Sequence, residues 1–161
     1  MDTKTQVETV SDRIERSIVI DASRERVWRA LADAAEFGAW FGADLTGQTF
    51  AAGRRVRGPI TIQGFEHVQF DVVTERVEPQ RLLSYRWHPY AIDANVDYTH
   101  ETPTLVTFTL DDAPGNATRL TVVESGFDNV PPHRRLEAFR MNGNGWQAQI
   151  KNIARHVAGS K

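Results

Sequence analysis

The sequence contains no cysteine among its 161 residues. It therefore cannot hold a disulfide framework, a cysteine zinc site, an iron–sulfur cluster or a cysteine nucleophile. No apolar run approaches the roughly 18–20 residues that span a bilayer. The formal net charge is only −2, from 19 basic and 21 acidic residues. Because the chain has neither a basic excess nor a basic stripe, we expect no nucleic-acid partner and no membrane span.

The length predicts one domain that buries a sufficient core without a disulfide or metal. An apolar fraction of 40% and a charged fraction of 25% are typical of a globular chain. Residues 1–12 are polar and lack the apolar core of a signal peptide, which predicts a flexible tail and a cytoplasmic protein. Residues 13–158 are predicted to form the single domain.

Alternating apolar residues predict that strands dominate the middle of the chain. The first strand is predicted over 13–20, and two short helices follow over 24–32 and 34–41. A run of further strands then leads to a polar loop over residues 88–103. The later strands are predicted over 43–50, 56–62, 68–77, 83–87, 106–110 and 120–124, with a hairpin loop at 111–116.

The C-terminal segment carries the longest helical pattern. Apolar positions from Leu136 to Val157 recur at alternating spacings of three and four residues, which makes one stripe on a helix. Gly143 lies on that stripe and Gly145 beside it, although glycine costs about 1 kcal/mol relative to alanine in a helix. Their presence is explained by a close approach to the helix, either by a strand backbone or by a ligand.

This order of elements predicts an α+β helix-grip fold. A curved antiparallel sheet of six to seven strands would wrap on the long C-terminal helix, with two short helices after the first strand. Space between such a sheet and its helix is a usual place for a small-molecule cavity.

Five strings carry a family resemblance along most of the chain. They are IDAS at 20–23 with VWRAL at 27–31, FGAWF at 37–41, VEPQRLLSYRW at 77–87, ESGF at 124–127, and Asn142 with Gly145 and Trp146. In this order the chain resembles the START-like (SRPBCC, helix-grip) superfamily. Within it, the chain resembles the group named after the activator of the heat-shock chaperone ATPase. The resemblance implies the helix-grip fold, which hosts ligand carriers, cyclases, hydrolases and chaperone cofactors.

The loop over residues 88–103 is longer and more acidic than in many relatives. It holds His88, His100 and three carboxylates, but their spacing matches no metal motif, so no metal and no cofactor are expected. We interpret it as a solvated loop or as a rim that gates the cavity.

Two charged residues alternate with apolar ones on predicted strands. Arg16 shares its parity with isoleucines, and Glu124 shares its parity with Leu120 and Val122. Because an unpaired buried charge is costly, the pattern predicts an Arg16–Glu124 pair or two polar anchors in the cavity. A local bulge that turns either side chain outward is the alternative.

Aromatic residues on the inner sheet face and on the helix stripe are candidates for lining the cavity, with core packing as the alternative. The predicted ligand-binding residues are Arg16, Phe70, Tyr85, Trp87, Phe108, Phe139, Gly143 and Trp146.

The leading functional prediction is a module that binds an apolar or lipid-like small molecule between sheet and helix. The first alternative is a cyclase- or hydrolase-type enzyme, for which Glu66, His67 and Glu124 are the candidate catalytic residues. The second is a co-chaperone that contacts a chaperone through a surface such as the arginines of segment 54–57. Either a monomer or a homodimer is compatible with the sequence.

Overall fold

The computed structural model describes residues 11–159. Six antiparallel strands form one open sheet in the order β1-β6-β5-β4-β3-β2, which confirms the α+β helix-grip prediction. The strands are β1 (Arg13–Ile20), β2 (Arg55–Pro59), β3 (Gln69–Glu78), β4 (Leu82–Trp87), β5 (Thr104–Ala113) and β6 (Ala117–Ser125). The helices are α1 (Arg24–Ala32), α2 (Ala34–Phe41), the single 3-10 turn Phe127–Asn129, and α3 (Pro132–Gly159).

Most of the predicted tail, residues 1–10, lies outside the described residues, so its flexibility stays a prediction. At Asp12 the chain is already attached to the end of β6. Its carbonyl oxygen accepts hydrogen bonds from the backbone nitrogens of Gly126 (3.0 Å) and Phe127 (3.1 Å).

Side-chain caps set the bounds of the two short helices. Ser23 accepts a hydrogen bond from the backbone of Arg26 at 3.1 Å, and Asp33 accepts one from Glu36 at 3.1 Å. Gly42 ends α2 in the left-handed conformation, with φ of 103°, which glycine adopts without steric cost. These caps explain why α1 and α2 begin and end where the sequence predicts.

The strand predicted over residues 43–50 is wrong. Only Ala43 makes a bridge, to Ile60, and the rest of the segment is irregular. The backbone nitrogen of Asp44 donates to Pro59 at 2.9 Å, and a Cβ on Gly58 would collide with the Asp44 carbonyl oxygen. The segment therefore crosses β2 in direct backbone contact, while Leu45 and Phe50 are buried in the core.

Other strand bounds also differ from the prediction by one to three residues. β2 ends at Pro59, and Ile62 lies exposed in the turn that follows it. The hairpin loop predicted over 111–116 is reduced to 114–116, because Ala113 and Ala117 still pair as the last residues of the β5–β6 ladder.

Aromatic side chains fill the middle of the space between the sheet and the helices. Phe37 is fully buried at its centre, with six ring neighbours at centroid distances of 4.6–6.4 Å. These neighbours are Trp40, Phe41, Phe50, Phe70, Tyr85 and Phe108. Any open space for a ligand must therefore lie toward an end of the sheet rather than at its centre.

The close approach predicted at Gly143 comes from a side chain of the sheet. An added Cβ at Gly143 would lie 3.3 Å from Nη2 of Arg16 on β1, whereas one at Gly145 would meet nothing within 4 Å. Gly143 thus makes room for the Arg16 guanidinium, which is neither of the two explanations that the sequence suggested.

We expect Gly145→Ala to stabilise the protein by about 1 kcal/mol, because alanine is the better helix former and the space is open. Gly143→Ala, two residues away on the same helix, should stabilise it less, since the guanidinium of Arg16 must shift. Urea denaturation of both variants measures the difference. An equal gain in the two variants would show that Arg16 does not limit the site.

A cluster of three partly buried charged or titratable side chains joins the three helices. Oε1 of Glu36 on α2 lies 2.6 Å from Nη1 of Arg26 on α1 and 3.0 Å from Nε2 of His156 on α3. Burial raises the pKa of Glu36, but the hydrogen bonds and charges of Arg26 and His156 outweigh it and hold that pKa below the usual 4.5.

Because its pKa is lower in the folded state, the Glu36 carboxylate stabilises the fold above the unfolded pKa, and this contribution is lost as the pH falls through the folded pKa. We expect wild type to exceed Glu36→Gln in thermal midpoint at pH 7. The two midpoints should converge between about pH 5 and pH 3. Parallel midpoints over that range would contradict the assignment.

Candidate functional site

The buried carboxylate of Glu124 is the centre of the candidate site. Glu124 lies near the end of β6, between Ile14 on β1 and Val106 on β5, and both of these neighbours are buried. The side chain points to the inner face of the sheet, and the residue is 0% exposed. A carboxylate at such a position must be fully hydrogen-bonded to be tolerated.

Four neutral side chains hold this carboxylate. Its Oε1 accepts from Nε1 of Trp146 at 2.8 Å and from Nδ2 of Asn142 at 2.9 Å. Its Oε2 accepts from Oγ1 of Thr104 at 2.6 Å, from Nε1 of Trp87 at 2.8 Å and from Nδ2 of Asn142 at 3.2 Å. We call Glu124 and these four residues the carboxylate cage. It joins β4, β5, β6 and α3, and indole and amide N–H groups suit an ionised carboxylate because they can only donate.

The Arg16–Glu124 pair expected from the sequence is not formed. Within residues 11–159, the ion pairs do not include Glu124. Arg16 shares the inner parity but donates from Nη1 to the carbonyl oxygen of Glu15 at 2.9 Å. The carboxylate is therefore balanced by the dipoles of its cage, and its net negative charge stays in the interior.

Tyr85 lies close enough to respond to this charge. Burial, with a further contribution from the Glu124 carboxylate, raises the pKa of the Tyr85 phenol well above 10. Its hydroxyl is buried and has no hydrogen-bond partner among the described residues. Tyr85 therefore stays neutral and acts as an aromatic core residue.

A cleft of about 830 Å³ opens beside the carboxylate cage. Trp87 and Asn142 belong both to the cage and to the lining of the cleft. Their hydrogen bonds to Glu124 therefore fix the positions of two side chains that line the cleft. Phe41, Phe70 and Trp87 form one aromatic wall, with ring centroids 5.2–6.1 Å apart. The loop over residues 88–103 covers the cleft with Tyr90, Ala91, Ile92, Val96, Asp97, Tyr98 and Thr99.

One arginine attaches this covering loop to α3. Arg134 donates to Oε1 of Glu101 from Nη2 at 2.6 Å and to its Oε2 from Nε at 3.2 Å, and it donates from Nη1 to the Pro89 carbonyl oxygen at 2.8 Å. Its guanidinium also lies 4.7 Å from the centroid of the Tyr98 ring. The side chains of Arg134 and Glu101 are each only 12% exposed. Arg134 thus holds the loop near both of its ends, while the middle of the loop, residues 93–97, is exposed.

Only two of the eight predicted ligand-binding residues line the cleft. Phe70 and Trp87 line the cleft. Tyr85, Phe108 and Trp146 are buried in the core, and Arg16 and Gly143 pack against each other outside the cleft lining. Phe139 is half-buried and packs on Phe127, with centroids 5.3 Å apart.

The other two predicted catalytic candidates lie away from the carboxylate cage, in the exposed turn between β2 and β3. Glu66 accepts from the backbone of Gly64 at 2.9 Å, and Nε2 of His67 lies 3.3 Å from the Ile92 carbonyl oxygen. Neither lines the cleft.

Sequence reasoning missed Asn142 and Thr104 as site residues. A usable signal existed for Asn142, because a polar residue four positions before Trp146 lies on the apolar face of the helix. A weaker signal existed for Thr104, which shares the alternation of Val106 and Phe108 and so lies on the buried face of β5.

Residues 11–159 contain no cluster of three or more histidine, aspartate or glutamate side chains that could hold a metal ion. Of the helices in this same range, none combines the length and the hydropathy needed to cross a membrane.

The family can be assigned from a sequence comparison. Residues 21–158 match the family model described as "Activator of Hsp90 ATPase homolog 1-like protein". The chain therefore belongs to this family, within the START-like superfamily. A search among curated proteins found no match.

Solved structures with the same fold cover most of the chain. MLL2253 from Mesorhizobium loti is 24% identical, with a TM-score of 0.69 over 92% of this chain and 98% of that one. DynU16, a putative protein in the dynemicin biosynthetic locus, is 22% identical, with a TM-score of 0.69 over 94% of this chain but only 49% of its own length. The Aha1 dimer from Colwellia psychrerythraea is 16% identical, with a TM-score of 0.64 over 90% and 95%.

We expect Glu124→Gln to destabilise the protein by about 3 kcal/mol, because its NH2 group would replace a carboxylate oxygen that accepts hydrogen bonds and would face buried donors. Chemical denaturation of this variant measures the loss. Glu66→Gln is the control, since Glu66 is exposed, and it should stay within about 0.5 kcal/mol of wild type. A Glu124→Gln variant as stable as wild type would contradict the carboxylate cage.

We expect Glu101→Gln to loosen the loop over residues 88–103, because it removes the charge that pairs with Arg134. Hydrogen–deuterium exchange should become several-fold faster in that loop and stay unchanged in β5 and β6. Glu137→Gln, an exposed position on α3, is the control. Unchanged exchange in the loop would show that the ion pair does not hold it.

Proposed function

We propose that this protein binds an apolar small molecule in the cleft beneath the loop over residues 88–103. The observation that carries the proposal is a cleft of about 830 Å³ with an aromatic wall and with Asn142 of α3 in its lining, beside further polar side chains from the strands and the loop. Small-molecule sites are typically concave, about 300–1,000 Å³ in volume, and mostly apolar with a few fixed polar groups. Membership of a superfamily that includes ligand carriers supports the same conclusion.

A binding role is favoured over a cyclase or hydrolase role by the positions of the acid–base candidates. Glu124 is 0% exposed, and its two oxygens already accept five hydrogen-bond contacts. Glu66 and His67 lie outside the cleft lining. None of the three is therefore placed to exchange a proton with a molecule in the cleft.

Native mass spectrometry of protein purified gently from its own host tests the proposal. We expect a stoichiometric apolar molecule that is released on denaturation. Ala91→Phe should lose it, because a phenyl group at a cleft-lining position fills the space that the ligand needs. Ala39→Phe, at an exposed position on α2, is the matched control and should keep it. Equal occupancy in the two variants, or an empty wild type that binds no apolar probe, would overturn the proposal.

A second candidate function is contact with a chaperone, for which the family description is the motive. The observation that favours it is the exposed arginine patch at the start of edge strand β2, formed by Arg54, Arg55 and Arg57. Asp71 partly neutralises it, since its Oδ2 lies 2.6 Å from Nη2 of Arg55 and 3.9 Å from Nε of Arg57. Stimulation of a chaperone ATPase that is lost in Arg54→Glu/Arg57→Glu would support this role, and no stimulation by wild type would remove it. A cytoplasmic location, which this role requires, stays a prediction.

A further inference from the structure

The orientation of the Asn142 side chain determines what the cleft offers to a ligand. Its Nδ2 faces both oxygens of Glu124, at 2.9 and 3.2 Å. A carboxylate can only accept, so the amide cannot be turned around without placing its carbonyl oxygen against a negative charge. Among residues 11–159, no donor is bonded to the Asn142 Oδ1. The amide therefore presents an acceptor at a residue that lines the cleft.

The negative charge of Glu124, which lies behind this amide, also favours a ligand that donates a hydrogen bond. Glu124 carries a negative charge in the interior without a paired cation among the described residues, and two of the side chains that bind it, Asn142 and Trp87, also line the cleft. An electrostatic field of this sign favours a positive or hydrogen-donating group and opposes an anion, and it is screened less than at a surface.

The aromatic wall also favours a positively charged ligand group. Phe41, Phe70 and Trp87 form a contiguous group of rings along the cleft, and Tyr90 and Tyr98 line it from the loop. The faces of such rings attract cations, with tryptophan the most favourable.

The cationic side chains that line the cleft do not oppose this preference. Arg55 and Arg86 lie on the outer face of the sheet and are paired with Asp71 (2.6 Å) and Glu75 (2.9 Å). Nε2 of His88 is directed at the Glu101 carbonyl oxygen at 3.0 Å. The lining thus offers no unpaired arginine for a carboxylate or phosphate group.

We propose that the cleft selects apolar molecules that carry an N–H donor, with an ammonium group preferred, and that this group binds at the Asn142 carbonyl oxygen. Glu124 is then a positioning residue, because it orients Asn142 and supplies the charge without touching the ligand. This inference rests on the proposed function of the cleft.

Three probes with the same ring system and different ends test it: 2-(2-naphthyl)ethylammonium, 2-(2-naphthyl)ethanol and 2-naphthylacetate. Isothermal titration at pH 7 should give the ammonium about tenfold tighter binding than the carboxylate, with the alcohol between them. Equal affinities, or tightest binding of the carboxylate, would overturn the inference while leaving the cleft a binding site. No binding of any probe would overturn the proposed function and the inference together.

Two variants test whether Glu124 and Asn142 determine the ligand preference or only stabilise the fold. Asn142→Leu keeps a side chain of similar size and removes the acceptor, so the ammonium-to-carboxylate preference should fall several-fold, with a remainder left by the Glu124 charge and the aromatic wall. Glu124→Gln should also reduce the preference. If Glu124→Gln fails to fold, Asn142→Leu alone tests the proposal. Glu66→Gln is the control and should keep the full preference. A preference unchanged in Asn142→Leu would overturn the assignment.

Discussion

The carboxylate of Glu124 is completely buried, and this single charge constrains the rest of the site. Its desolvation is offset only while four donors stay in place, and these donors come from two strands and the long helix. The relative position of sheet and helix is therefore fixed by polar geometry as well as by apolar packing. Two of the donors, Trp87 and Asn142, also line the cleft. The carboxylate cage in the core therefore shares two side chains with the lining of the candidate binding site.

The two indoles of the carboxylate cage show how packing and hydrogen bonding support each other. Trp87 and Trp146 stack with ring centroids 5.7 Å apart, and both direct their Nε1 at the same carboxylate. Neither ring can rotate without losing a hydrogen bond to a charge. The aromatic wall of the cleft is consequently preorganised, which reduces the conformational entropy that a ligand would have to remove on binding.

Sequence reasoning was most successful where local chemistry decides the structure. The bounds of β1, α1 and α2 follow from alternation, from the caps at Ser23 and Asp33, and from the glycine that ends α2. The sequence prediction failed over residues 43–50, where the buried apolar side chains belong to an irregular segment and not to a strand. That segment lies on the backbone of Gly58, and periodicity cannot show such a contact.

The inward direction of Glu124 was predictable from its parity with Leu120 and Val122, but its partners were not. They lie 18 to 37 positions away along the chain, so no local pattern brings them together. The expected partner, Arg16, has the correct parity on β1 but is accommodated at Gly143 on α3. Likewise, the path of the loop over residues 88–103 depends on Arg134, which is distant in sequence.

The most direct measurement is hydrogen exchange of the side-chain N–H groups, followed by NMR. We predict that the indole N–H groups of Trp87 and Trp146 and the amide of Asn142 exchange slowly with solvent. All three signals should shift together in Glu124→Gln, because they share one acceptor. Rapid exchange at these groups, or signals that do not respond to the loss of the carboxylate, would show that Glu124 does not organise the site.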